Sequence, residues 1–168
     1  MTGNNITIKI LVDNKANADL MKEHGFAAWI EAFGHKILFD TGQGKAFIHN
    51  STALGCDLSL ADVLILSHGH YDHTGNLVHV LEQNPGIKIY CHSHVVHTRY
   101  VIRDGTGPKD ISMPEEAKSA ILSLPPDQYC RITHPERIYP NIGLSGPIPQ
   151  SHPLENIGEP FYLDPEGT

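Results

Sequence analysis

The passage from Val63-Leu-Ile-Leu66 into Ser67-His68-Gly69-His70-Tyr71-Asp72-His73-Thr74-Gly75 constrains this chain more than any other. Four apolar residues in succession read as a strand covered on both faces, as in the middle of a sheet flanked by helices. Beyond the polar loop, Leu77, Val80 and Leu81 fall at helical spacing up to Asn84-Pro85-Gly86. The order strand, polar loop, helix belongs to an α/β architecture. Sheets of that kind place their sites beyond the carboxyl ends of their strands.

Upstream, Ile6, Ile8 and Ile10 alternate with Thr7 and Lys9, the period of a half-buried strand over residues 6–12. Two further runs, 26–33 and 36–40, lie either side of Gly34-His35 and predict a hairpin. Asp40-Thr41-Gly42-Gln43-Gly44 then leads into a short helix carrying Phe47, Ile48 and Leu54, with Gly55 as its stop. Residues 87–91 predict another strand, which meets a second histidine cluster, His92, His94 and His97. A helix is expected over 114–122, Pro114 being acceptable in a first turn. Nine of the twelve prolines lie from Pro125 onward, where only short strands near 128–133 and 141–145 are expected. The reading is one domain, 1–168, with core sheet, helices and polar loop in 1–124 and a proline-rich segment in 125–168.

Composition narrows the partners. A formal charge of −7 disfavours a nucleic-acid or anionic-membrane surface. No stretch approaches the ~18 apolar residues of a membrane span, and Met1-Thr-Gly-Asn-Asn lacks the marks of a signal peptide. Cys56, Cys91 and Cys130 are odd in number and contain no CxxC pair, which fits a reducing cytoplasm. A small-molecule substrate is therefore expected. Twelve histidines among 168 residues point to metal or proton chemistry.

That chemistry concentrates in His68, His70, Asp72 and His73, the pattern His-x-His-x-Asp-His. Histidine and aspartate supply the nitrogen and oxygen donors that zinc and similar ions take at roughly 2.0–2.2 Å. Alternate spacing lets His68 and His70 point one way while Asp72 and His73 address a second ion. The bland alternative is a polar surface loop. Asp40 is read either as a turn residue or as a brace beneath the loop. His92 ends a strand expected to run parallel to the one feeding the loop, and is read either as a cleft residue aiding substrate or proton transfer or as a polar strand end. His94 and His97 are taken as exposed, and His24, His35 and His49 have no partners at ligand spacing and receive no role. Cys91 and Cys130 are expected to be small buried hydrophobes, and Gly42-Gln43-Gly44 a turn rather than a phosphate cradle.

The run Ser67-His-Gly-His-Tyr-Asp-His-Thr-Gly75, with Phe39-Asp40-Thr41-Gly42 upstream, resembles the metallo-β-lactamase-fold metal-dependent hydrolases. His24-Gly25 and Ile37-Leu-Phe-Asp-Thr-Gly42 are similar to a branch related to a methanopterin-pathway dihydropterin–ribofuranosylaminobenzene phosphate synthase. The resemblance implies a four-layer αββα sandwich of two similar halves, with a one- or two-metal site at the edge between the sheets. His68 and His70 would bind the first ion, Asp72 and His73 the second, and Asp72 would also orient the attacking hydroxide. Asp40 would brace the loop. The ion implied is divalent, zinc first, with manganese or iron as other options.

The later motifs that complete such sites are not found. After His97 only His134 and His152 remain, neither in a Gly-Cys-x-His-like context, and residues 143–149 match a segment that precedes that motif. The chain therefore reads as the N-terminal half of the sandwich, apparently truncated, with an uncovered sheet face that invites a homodimer. Two protein donors per ion, His68 with His70 and Asp72 with His73, fall short of the three protein ligands of catalytic zinc sites, so turnover is not assured for this chain alone. The activity implied is hydrolysis by a metal-bound hydroxide. The alternatives are pterin-pathway transfer chemistry and a non-catalytic, truncated or degenerate metal-binding or interaction protein.

Overall fold

The computed structural model describes residues 5–149, 151–152, 154 and 160–167. Residues 1–4 and parts of the proline-rich segment lie outside them. Chain order is β1 (Thr7–Val12), β2 (Ala27–Ala32), β3 (His35–Phe39), α1 (Lys45–Ala53), β4 (Val63–Ile65), α2 (Tyr71–Thr74), α3 (Leu77–Gln83), β5 (Lys88–Cys91), β6 (Tyr100–Arg103), β7 (Thr106–Asp110), α4 (Glu115–Leu122), β8 (Tyr129–Arg131), β9 (Glu136–Tyr139), β10 (Ile142–Leu144) and β11 (Phe161–Tyr162). Short 3-10 turns occupy Leu58–Leu60 and Ser93–Val96.

Six strands form the main sheet in the order β1-β2-β3-β4-β5-β8. The first three are an antiparallel meander, and β3, β4, β5 and β8 run parallel. Cross-strand register carries one row of large apolar side chains across the sheet: Trp29, Leu38, Leu64, Ile89 and Tyr129 lie opposite one another in turn. All five are buried, together with Phe47 from α1, Leu77 and Val80 from α3, and Ala117 and Ile121 from α4. Burying a side chain of this size contributes about 1.5–3 kcal/mol. A one-residue slip in any strand would turn its member of the row to the wrong face. That is what fixes the strand ends relative to each other.

The alternation expected over 6–12 is present with the opposite sense. Lys9 lies opposite Trp29 and so shares the helix-covered face, where its Nζ donates to the Leu54 carbonyl at 2.9 Å. Ile8 and Ile10 point away and are 59% and 41% exposed. Further along this second face the β9–β10 hairpin approaches, with Tyr139 stacked on His35 at 3.5 Å. There Ile37 and Val63 are buried.

Other elements depart from the sequence pattern. β6 and β7 pair as a hairpin extended by β11. β7 is Thr-Gly-Pro-Lys-Asp and exposed throughout, an edge strand with no apolar period to announce it. The turn α2 forms inside what reads as an open loop, with its first turn aligned by Thr74, whose N–H and Oγ1–H both donate to the His70 carbonyl.

Candidate metal centre

The parallel register sets three strand ends side by side: Phe39 opposite Ile65, and Ile65 opposite Tyr90. The residues that follow are Asp40 after β3, Leu66-Ser67-His68 after β4 and His92 after β5. Two more ladder bonds tie these exits together, from Asp40 N–H to the Ile65 carbonyl and from Leu66 N–H to the Tyr90 carbonyl, each 2.9 Å. Residues distant in sequence thus meet beyond the carboxyl ends of the strands, where an open parallel sheet leaves room for a ligand.

Asp40 is the anchor of this region. It is fully buried and sits in the left-handed region, at φ 56°, a conformation that aspartate tolerates better than most residues. Its carboxylate accepts from Ser67 N–H at 2.8 Å, from Ser67 Oγ–H at 2.6 Å and from His73 Nδ1–H at 2.7 Å. Ser67 Oγ in turn accepts from His68 Nδ1 at 2.9 Å. Both rings are therefore held from behind through Nδ1, which leaves each Nε2 for an ion; outer hydrogen bonds of this kind fix the tautomer of metal-ligating histidines.

The rings are packed together. His68 lies 4.4 Å from His70 and 4.1 Å from His73, centroid to centroid. Burial, reinforced by the neighbouring His73 and His70, pushes His68 down to about 3, and burial lowers His70 as well. Both stay uncharged at neutral pH and keep lone pairs to donate. His73 moves the other way: burial pulls it down, but the hydrogen bond it donates to Asp40 and the charges of Asp40 and Asp72 outweigh that and raise it. Asp72 is buried, with Oδ2 3.7 Å from His73 Nε2.

Three imidazoles and one carboxylate are the donor set that zinc and related divalent ions accept, and two of the rings, His68 and His73, are already aimed from behind. On that chemistry the residues fit a metal. Among the described residues, no group of three or more such side chains is gathered closely enough to hold one ion. His68 with His70, and Asp72 with His73, offer two protein donors each.

The loop is pressed into place by a close approach. A Cβ on Gly69 would stand 1.9 Å from the Val95 carbonyl oxygen, so only glycine lets the loop pass over the 3-10 turn Ser93–Val96. His92 opens that turn, with its Nδ1 accepting from His94 N–H at 3.2 Å. With Ser67 it borders a cavity of about 380 Å³ whose other walls include Phe39, Ile65, Ile132 and Leu144. His94 and His97 are exposed and stack at 4.4 Å. Cys91 is buried, its thiol pushed up to about 12 by desolvation.

Several supporting residues carry no pattern of their own in the sequence. Thr41 N–H donates to the His73 carbonyl at 2.8 Å, and the buried Asn76 amide donates to the Thr41 and Gly44 carbonyls at 2.8 and 3.1 Å. Glu23 supplies the N-terminal cap of α1 that Gly44 lacks, accepting from Gly44 N–H at 2.8 Å. The Gly42-Gln43-Gly44 turn therefore already faces a carboxylate. His24, from the same segment, reaches Asp72, with Nε2 3.2 Å from Oδ2.

A mixed sheet with a histidine–aspartate loop at the ends of its parallel strands is an α/β arrangement that carries a candidate metal-binding loop where such sheets place their sites. The metallo-β-lactamase superfamily model matches residues 22–158, and the chain belongs to that superfamily. It is 34% identical over 149 residues to the uncharacterized protein MJ0448 of Methanocaldococcus jannaschii, covering 88% of this chain and 56% of that protein. From the same organism, the 7,8-dihydropterin-6-methyl-4-(beta-D-ribofuranosyl)-aminobenzene-5'-phosphate synthase is 32% identical over 99 residues, which is 54% of this chain and 34% of the synthase. The crystal structure of Tm1679, a metal-dependent hydrolase of the β-lactamase superfamily, superposes with a TM-score of 0.68 at 22% identity, over 98% of this chain and 56% of that one. That likeness shows the shared fold. The chain spans about half the length of MJ0448 and of Tm1679.

Proposed function

We propose that this chain carries the metal-binding part of a hydrolase that acts on a small molecule with an electrophilic carbonyl or phosphoryl centre. The observation that carries the reading is the cluster His68, His70, Asp72 and His73, in which the buried Asp40 holds His73 directly and His68 through Ser67. His68 and His70 would hold one divalent ion and Asp72 and His73 a second, zinc first, with manganese or iron as the other options. When bound, such an ion lowers the pKa of a coordinated water from about 15.7 towards about 7 and neutralises charge developing on the electrophile.

The chain's own side chains do the rest. Burial holds His68 and His70 below the ordinary imidazole value, so at neutral pH protons compete little for their lone pairs. Asp72 orients the attacking water through its carboxylate. His92, at the rim of the cavity lined by Phe39 and Ile65, faces the place where an apolar part of the substrate would lie and can pass a proton to the leaving group. Three free cysteines suit a reducing cytoplasm. Among the described residues no helix is long and apolar enough to cross a membrane. A homodimer that covers the outward Ile8 and Ile10 belongs to the same proposal.

A second reading, condensation rather than hydrolysis, is favoured by the 32% identity to the pterin-pathway synthase. Assays of ester and phosphoester hydrolysis beside condensation of a pterin with a phosphorylated aromatic amine separate the two.

The test of the metal reading is elemental mass spectrometry on protein purified without added metal or chelator, with mass by light scattering in the same run. About two ions per chain are expected. Asp72→Ala should reduce that number and abolish turnover with the fold intact. Little or no metal on the wild-type chain overturns the reading, and a non-catalytic interaction protein then takes its place.

A further inference from the structure

Asp72 has a partner that lies far from it in sequence. His24 Nε2 stands 3.2 Å from Asp72 Oδ2, and the side chains differ sharply in exposure, 63% for His24 against 11% for Asp72. On the other side of the ring, Nδ1 lies 2.9 Å from Asn14 Oδ1. The backbone around it is built against the same target. Phe26 N–H donates to the Asp72 carbonyl at 3.3 Å, and Gln43 Nε2–H donates to the His24 carbonyl at 2.9 Å. Gly25 has φ +120°, and a Cβ there would stand 2.1 Å from the Asp72 carbonyl oxygen. Glu23, one residue earlier, is anchored on the N-terminus of α1. The segment 23–26 is thus fixed at both ends and presents His24 to the carboxylate.

We propose that His24 is a positioning residue of the metal centre, which orients the Asp72 carboxylate by donating a hydrogen bond from Nε2. The inference rests on Asp72 being a metal ligand, as proposed above. With the Nε2 proton facing Asp72, Nδ1 needs a donor; Asn14 Oδ1 stands there, and a half-turn of the Asn14 amide, whose nitrogen and oxygen are interchangeable by shape, brings its NH2 to Nδ1. A carboxylate on a single Cβ rotates freely unless one oxygen is held. Asp72 has His73 beside it and His24 to hold it. Removing an outer partner of a ligating group costs about 10–100-fold in metal affinity.

The experiment uses the full 168-residue chain as wild type, His24→Ala and His24→Gln. Zinc affinity is read by chelator competition, the cobalt-substituted form by its d–d absorption, and the metal-free form by its melting temperature. His24→Ala is expected to lose about 10–100-fold in zinc affinity and to shift the cobalt spectrum, with the metal-free melting temperature unchanged. His24→Gln, which keeps an N–H donor at similar reach, is expected to recover most of the loss. An alanine variant with wild-type affinity and spectrum overturns the inference. So does a glutamine variant no better than alanine, or a fall in metal-free melting that accounts for the loss. A wild-type chain that binds no zinc sinks the proposed function first, and is told apart because it fails before any variant is made.

Discussion

Replacing Asp40 by asparagine separates its structural role from its chemical one. The carboxylate accepts three hydrogen bonds, from Ser67 N–H, Ser67 Oγ–H and His73 Nδ1–H, at 2.8, 2.6 and 2.7 Å. Asparagine keeps the size, tolerates the left-handed φ of 56°, and retains one oxygen for Ser67 N–H. Its NH2 group replaces the oxygen that faced Ser67 Oγ and His73 Nδ1. The serine hydroxyl can turn and accept. His73 must move its proton to Nε2 so that Nδ1 can accept. All three charge-assisted bonds of about 1.5–3 kcal/mol become neutral ones of about 0.5–1.5 kcal/mol, so the expected loss of stability is about 3–4.5 kcal/mol. A domain stable by about 5–15 kcal/mol survives that.

The chemical effect of Asp40→Asn is larger, because a protonated Nε2 has no lone pair to give. Zinc affinity should fall by about 10–100-fold or more. Urea unfolding measures the first quantity, chelator competition the second, and long-range nitrogen–proton NMR reads the His73 tautomer directly. Asp40→Asn protein that keeps the proton on Nδ1 and binds zinc like wild type would refute the bracing argument. Asp40→Ala is expected to be worse. It orphans Ser67 N–H and His73 Nδ1–H at about 1–3 kcal/mol each, and adds about 1–2 kcal/mol for alanine in the left-handed region.

Two further changes probe the same frame. Gly25→Ala places a methyl 2.1 Å from the Asp72 carbonyl oxygen at φ +120°, and strain plus overpacking should cost about 2–6 kcal/mol; an unchanged melting temperature would show that segment 24–26 does not clamp the loop. For pH, the folded values of His68 and His70 lie below the unfolded value of about 6.5, so their contribution to stability is present above that pH and is lost as pH falls towards about 3 for His68. His73 is raised and works in the opposite sense, contributing below about 6.5 and losing that contribution as pH rises through its folded value. The urea midpoint of metal-free protein should therefore fall between pH 7 and pH 5, and His68→Gln should flatten the fall. Equal midpoints at the two pH values in wild type would contradict the burial of these rings as uncharged groups.

How much of this could be read from the sequence depends on how local each cause is. The strand at Val63–Ile65 and the helix at Leu77–Gln83 follow from apolar runs and spacing within themselves. β1 shows its period plainly, but which face is covered depends on Trp29 lying opposite Lys9, and that pairing is settled only when the sheet assembles. β7 has no pattern at all, since Gly107 and Pro108 sit in its middle and it exists because Tyr100 and Val101 pair with Asp110 and Lys109.

The candidate site divides in the same way. One strand end carries His68, His70, Asp72 and His73 together, so their spacing is visible in six consecutive residues. Asp40 and His92 belong to the neighbouring strand ends and become part of the site through the register Phe39–Ile65–Tyr90. His24 comes from still further off, in the connection between β1 and β2, and meets Asp72 because the Phe26 N–H and a missing Cβ at Gly25 let the two segments touch. Its sequence signal is slight, a histidine beside a glycine ahead of an apolar strand, and spacing to other ligands would never select it. A centre built at parallel strand ends is therefore under-read by any motif confined to one loop. The residues a motif misses are those whose hydrogen bonds orient the ligands it finds, which is why Asp40→Asn and His24→Ala should reach the metal while leaving the His-x-His-x-Asp-His run untouched.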